Sequence, residues 1–249
     1  MEAEKKGIST LQGVSNSLEV LFALARADGP LSPAELAAIT SINRTTVYRI
    51  LETYMQYQIV EPDHDQKYRL GLGIWRLVQS AQKQHPVIYT AMPIITELWQ
   101  RTKESVQLNL RFGDTVICMV GFESTHRLRV SPQVGDQWPL HITSRGRVIL
   151  AHLSEKERKA YLQKDLQAFT KHSITDKAQL EELCLKIREA GYAISKGEMI
   201  EDAASIAAPV FFNGQVVGSI DVAGPLQRVE TVDPAWVKAA GMEISELLK

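Results

Sequence analysis

The chain has 249 residues, a net charge of −1, 45% hydrophobic residues and 23% charged residues. It is long enough for one large domain or a small module joined to a larger one, and its balance excludes a uniformly basic nucleic-acid coat. Cys118 and Cys184 stand far apart without Cys or His at ligand spacing, so neither a disulfide scaffold nor a zinc centre is expected and a reducing cytoplasm is. The start, Met1-Glu2-Ala3-Glu4-Lys5-Lys6, lacks an apolar signal core. No apolar run approaches the roughly 18 residues that span a bilayer.

In chain order, Leu18, Leu21, Phe22, Leu24 and Ala25 repeat at helical spacing, with Asn16 or Ser17 as N-cap. Asp28-Gly29-Pro30 ends that helix. Ser32-Pro33-Ala34-Glu35 is a capping box with proline at the first helical position. The short second helix carries Leu36, Ala37 and Ile39 and ends near Thr40. Asn43 caps a third, with Val47, Ile50, Leu51 and Tyr54 inward. Two β-like runs, Ile59–Pro62 and Lys67–Leu70, flank the polar turn Asp63-His64-Asp65-Gln66 and read as a hairpin, or wing. A linker helix follows from Ile74 to about Lys83, and after His85-Pro86 another runs from about Val87 to Lys103. From Ser105 the pattern mixes strands with helices. Val106–Leu110 and Val116–Val120 surround Gly113-Asp114, while Arg145–Leu153, Asp176–Ala190 and Pro234–Leu248 are helical. Ile206–Phe212 and Gln215–Val222 flank Asn213-Gly214, a strong hairpin signal. The expected fold is α+β, with an antiparallel sheet in the larger domain. Its parts are a winged helix-turn-helix over 1–71, a linker helix over 72–86 and the larger domain over 87–249.

The third helix exposes Arg44, Thr45, Thr46, Tyr48 and Arg49 behind Asn43, and the wing carries Lys67 and Arg69. Hydroxyls and a helix N-terminus suit phosphate oxygens, and arginine grips guanine through two acceptors, so this set points to duplex DNA. A helical bundle with a solvated charged face is the alternative.

Five segments in this order resemble the isocitrate lyase regulator (IclR) family of bacterial transcription factors. They are Arg44–Leu51, Lys67–Gly71, Pro139–Ala151, Ile206–Phe211 and Val222–Pro225. The resemblance implies a winged helix-turn-helix, a linker helix and a GAF-like effector domain in a homodimer or dimer of dimers. It also implies a regulator, more often a repressor than an activator, that responds to a small molecule. Carried onto matching positions, the effector pocket includes Arg127, Val130, Trp138, Ser144, Arg145, Gly146, Ser205, Asp221 and Ala223. The chain departs from relatives that take glyoxylate or pyruvate. Asp221 and Ala223 replace two serines, Ser195 replaces an acidic residue and Arg145 replaces a small one. Physically, Arg145 and Arg127 suit a carboxylate clasp beside a helix N-terminus. Trp138 is an aromatic wall or a core residue, and Asp221 either accepts from a ligand donor or neutralises an arginine.

An enzyme is not expected, because the six histidines are scattered and no nucleophile elbow or paired-histidine spacing occurs. Gly71-x-Gly73 lacks a third glycine, and Glu198, Glu201 and Asp202 read as a solvated loop rather than a metal site. No cofactor is expected.

Overall fold

The computed structural model describes residues 10–249, the side chain of Gln82 excepted. Met1–Lys6, read above for a signal segment, lies outside them. The chain divides into two compact units, Met1–Gln82 and Lys83–Lys249.

In the first unit, α1 (Gln12–Arg26), α2 (Pro33–Thr40) and α3 (Arg44–Gln56) pack around Val20, Leu24, Leu36, Val47 and Leu51. The hairpin β1 (Val60–Pro62) and β2 (Tyr68–Leu70) closes this core with Val60 and Tyr68. The expected capping box forms: Ser32 Oγ accepts from the Glu35 N–H, and Glu35 accepts from the Ser32 N–H at 2.7 Å. One expectation is corrected. α1 starts at Gln12 without a side-chain cap, and Ser17 instead bonds the Tyr54 hydroxyl at 2.6 Å, tying α1 to α3. The buried face of α1 is Val20, Ala23 and Leu24, while Leu18 and Phe22 are exposed with Leu11 and Val14. Helical spacing finds an apolar stripe but cannot say what covers it. Gly71 and Gly73 have a plain packing role. A Cβ on either would lie within 2.7 Å of the Gln58 carbonyl oxygen, so only glycine lets the backbone pass there. α4 (Gly73–Gln84) follows, with Trp75, Leu77 and Val78 exposed.

In the second unit, α5 (Pro86–Thr102) leads into one antiparallel sheet of order β5-β4-β3-β8-β7-β6. Its strands are β3 (Ser105–Phe112), β4 (Thr115–Phe122), β5 (Gln137–Pro139), β6 (Ala193–Lys196), β7 (Ala203–Phe212) and β8 (Gln215–Pro225). The hairpin turn uses Asn213 and Gly214 at φ 50° and 73°, with Phe212 opposite Gln215, as a tight primed turn demands. Between strands lie α6 (Thr143–His152), α7 (Glu155–Leu162), which was not expected from the sequence, and α8 (Lys177–Ala190). α9 (Leu226–Val229) and α10 (Pro234–Leu247) complete the chain.

Strand alternation builds both faces of the sheet. Val106, Leu108, Leu110, Ile220 and Val222 pack against α5 and α10 in one core. The intervening Gln107, Asn109, Ser219 and Asp221 point the other way, toward the side held by α6 and α8, and are buried there. No helix among the described residues is long and apolar enough to cross a membrane.

Candidate functional site

The first candidate is the outer face of α3. Asn43 caps it, its Oδ1 accepting from the Thr45 N–H at 2.8 Å. Arg44, Thr45, Tyr48 and Arg49 are exposed and Thr46 is half-buried. The Arg44 guanidinium lies 5.7 Å from the Tyr48 ring centroid, a contact that stiffens both side chains. Neither Arg44 nor Arg49 has an acidic partner within 4.0 Å among the described residues. The wing differs: Lys67 pairs with Glu35 at 3.5 Å and Arg69 with Glu61 at 2.8 Å. The unneutralised charge of this unit's reading face therefore sits on the helix, not on the hairpin.

The second candidate is a cavity on the α6 side of the large sheet. Its inner chamber, about 40 Å³, is lined by Gln107 of β3, Ser205 of β7, Asp221 and Ala223 of β8, and Thr143 and Arg145 of α6. Val130 and the segment Glu198–Ile200 close its mouth. An outer chamber of about 920 Å³ shares Gln107, Val130, Arg145, Met199 and Ile200 and adds Trp138 and Phe169. The two chambers adjoin, sharing Ala203 as well.

Three polar groups in the inner chamber are buried without a hydrogen-bond partner among the described residues: Thr143 Oγ1, Arg145 Nε and Asp221 Oδ2. Arg145 is 8% exposed and Asp221 1%. Arg145 Nη1 donates to Gln107 Oε1 at 2.7 Å, and Asp221 Oδ1 accepts from Asn109 Nδ2 at 2.6 Å. Burial pushes the Asp221 carboxyl up to about 6, against the pull of Arg145 and the Asn109 bond. Among the described residues no arginine lies within 4.0 Å of Asp221, so it does not form the neutralising ion pair weighed from the sequence. Thr143 adopts φ 63°, a left-handed conformation that a β-branched residue rarely takes, at the point where α6 meets the chamber.

The remaining expected pocket residues divide by place. Trp138 stands edge-to-face with Phe169, ring centroids 5.7 Å apart, on the wall of the outer chamber. Ser144 is buried beside the chamber, bonded to Ser205 at 2.6 Å, and Ser205 bonds Ser195 at 2.9 Å. Gly146 seats α6, since a Cβ there would lie 2.6 Å from the Leu140 carbonyl oxygen. Arg127 is exposed and lines neither chamber, so a clasp of Arg127 with Arg145 is not built. The reason is chain direction: the loop that carries Arg127 turns Val130, not Arg127, inward.

Glu198 corrects a further expectation. It is buried at 6% and takes Arg147, itself fully buried, in a two-point ion pair with one contact of 2.6 Å. Glu201 and Asp202 are exposed, as a solvated loop requires. The pair ties α6 to the segment at the cavity mouth. Gln107, Asn109, Thr143, Met199 and Arg147 were not singled out from the sequence. A signal existed for the first two, which are polar residues at alternate positions of an otherwise apolar strand.

Known proteins match both units. A model of the IclR C-terminal domain of bacterial transcriptional regulators matches residues 79–246, and one of the IclR helix-turn-helix domain matches residues 13–64. The HTH-type transcriptional regulator BhcR of Paracoccus denitrificans is 28% identical over 222 residues, 88% of this chain and 79% of that protein. The repressor AllR of Escherichia coli (strain K12) is 25% identical over 231 residues, 92% of this chain and 85% of that protein. An IclR transcriptional regulator from Alicyclobacillus acidocaldarius superposes with a TM-score of 0.86 at 26% identity, covering 97% of this chain and all of that one, 100%. An IclR homolog from Microbacterium hydrocarbonoxydans, solved with 4-hydroxybenzoate, shares the fold with a TM-score of 0.82 at 22% identity over 95% and 99% of the two chains. With a helix-turn-helix in one unit, an antiparallel sheet and a polar recess in the other, and family matches spanning both, the chain belongs to the IclR family of bacterial transcriptional regulators.

Proposed function

We propose that this regulator is a cytoplasmic repressor whose affinity for its operator is set by a small organic acid bound in the recess beside Arg145. One observation carries the reading. A buried guanidinium opens onto a chamber, holds an amide on one edge and has no carboxylate within 4.0 Å among the described residues. A buried cation with no carboxylate in hydrogen-bonding contact is costly, and a carboxylate ligand supplies that contact through charge-assisted hydrogen bonds. The Trp138–Phe169 wall suits an acid with an apolar or aromatic body. The 4-hydroxybenzoate held by the Microbacterium hydrocarbonoxydans homolog is of that class. AllR is named a repressor, and the sign of regulation is proposed on that likeness.

On the DNA side, Asn43, Thr45, Thr46, Tyr48, Arg44 and Arg49 are proposed to enter the major groove, with Lys67 and Arg69 at the flanking phosphates. The exposed apolar residues Val14, Leu18 and Phe22 of α1, with Leu11 just before it, and Trp75, Leu77 and Val78 of α4 support a homodimer or a dimer of dimers. Paired subunits would set two recognition helices about 34 Å apart, or a multiple of it, on a pseudo-palindrome.

A thermal-shift screen against aliphatic and aromatic carboxylic acids tests the ligand class, since a ligand of the folded state raises Tm by mass action. A hit abolished by Arg145→Ala and accompanied by changed operator affinity at fixed salt is the expected result. Hits that survive Arg145→Ala, or that leave operator affinity unchanged, would sink the proposal.

A further inference from the structure

We propose that the inner chamber is built for the head group of an α-amino acid, its carboxylate on Arg145 and its ammonium on Asp221, with the side chain running out toward Trp138 and Phe169. This rests on the reading of the recess as the effector site and names the chemistry of its ligand.

The two charges are arranged as a matched pair of sockets. Gln107 and Asp221 stand directly opposite each other on β3 and β8, and Asn109 is two residues further along the same face of β3. Gln107 Oε1 takes one edge of the guanidinium at 2.7 Å, and Asn109 Nδ2 donates to one oxygen of the carboxylate at 2.6 Å. Arg145 Nη2 also donates to Met199 Sδ at 3.9 Å, while Arg145 Nε and Asp221 Oδ2 stay buried and unpartnered among the described residues. The two side chains line the same chamber yet lie outside the 4.0 Å of an ion pair. Arg147, on the same helix, shows the alternative: there the fold closes a two-point pair with Glu198. At Arg145 and Asp221 it leaves the opposite charges apart.

Charge balance selects the ligand. A simple carboxylate would satisfy Arg145 but place a second negative charge beside buried Asp221, which like-charge repulsion disfavours. An amine alone would leave Arg145 without a counter-ion. A zwitterion with its charges on adjacent carbons gives each socket its complement. The inner chamber, about 40 Å³, presents the two charged side chains, and the adjoining outer chamber, about 920 Å³, has room for the rest of the ligand.

Calorimetric titration of the full-length protein with three matched sets tests this. The sets are L-phenylalanine with 3-phenylpropionate and phenethylamine, L-tyrosine with 3-(4-hydroxyphenyl)propionate and tyramine, and L-leucine with 4-methylpentanoate and isopentylamine. In at least one set the amino acid is expected to bind tenfold or more tighter than either truncated partner. Asp221→Asn should erase the advantage over the deaminated acid without weakening that acid, and Arg145→Gln should weaken both. Circular dichroism melts establish that the variants are folded, and the wild-type comparison stands without them. Deaminated acids that bind as tightly as the amino acids, with binding lost in Arg145→Gln, would overturn the zwitterion and leave the acid-binding recess. Saturable binding that neither variant alters would remove both readings. No binding by any member of the panel would also overturn the zwitterion proposal.

Discussion

Asp221 is the residue whose chemistry is most open to test. Its carboxyl stands at about 6 in the fold against an ordinary 3.8, a difference equivalent to about 3 kcal/mol. Between those values the folded chain holds the proton that the unfolded chain has released, so this group makes stability fall as pH rises through about 4 to 6 and leaves it lowered above. The facing charge is Arg145 on α6, and Asn109 on β3 is the neutral partner. Asp221→Asn keeps the acceptor for Asn109 and removes the buried charge. The unliganded variant should therefore melt several degrees higher than wild type at pH 7.5, with the difference vanishing below about pH 4 in scanning calorimetry. An unchanged or lower Tm at pH 7.5 would mean the charge is already compensated. Arg147 and Glu198 behave oppositely. Glu198→Ala leaves a buried guanidinium alone and is expected to cost about 3–5 kcal/mol in urea unfolding, while Arg147→Met with Glu198→Leu should recover most of it.

At the scale of elements, α6 positions the chamber by seating tightly on the chain before it. Leu140 and Ile142 are fully buried, and His141 bonds the Tyr161 hydroxyl at 2.8 Å and the Gln167 carbonyl at 3.0 Å. Burial holds the His141 imidazole below its ordinary range. Gly146 fits because its Cα faces the Leu140 backbone. Gly146→Val should push α6 away and cost about 2 kcal/mol or more, with ligand affinity falling in parallel; a variant with unchanged Tm and affinity would show that α6 has slack. In the other unit, α3 presents its free cations because its inner positions, Val47 and Leu51, are committed to the core. The wing cations are held by Glu35 and Glu61 instead.

For the whole molecule, operator binding should follow the number of free cations. Arg49→Ala is expected to lower the slope of log K against log salt by about 1, as removing one cation from one phosphate requires, read by fluorescence anisotropy across a salt series. Glu61→Gln frees Arg69 and should tighten binding to nonspecific duplex. Weaker nonspecific binding in Glu61→Gln would remove Arg69 from the residues that hold phosphate. Coupling between ligand and DNA requires the ligand to prefer one arrangement of the molecule over another, so the same factor must appear when DNA is varied and ligand affinity is measured.

By itself the sequence determined the elements whose signals are local. The Ser32 capping box, the Asn43 cap and the Asn213-Gly214 hairpin each depend on residues within a few positions of one another, and each formed as expected. The resemblance to the family added the expectation that Arg145 and Asp221 replace small and hydroxyl residues of related pockets. Only the tertiary structure decided which apolar face of α1 is covered, that Glu198 is buried on Arg147 rather than solvated, and that Arg127 lies outside the recess. It also decided that Gln107 and Asn109, one strand away from Asp221, anchor the two buried charges. The physical reason is the same throughout. Caps and turns are satisfied by neighbours in sequence, whereas the partner of a buried charge is set by strand register and helix packing across about a hundred residues of chain, as between Asn109 and Asp221.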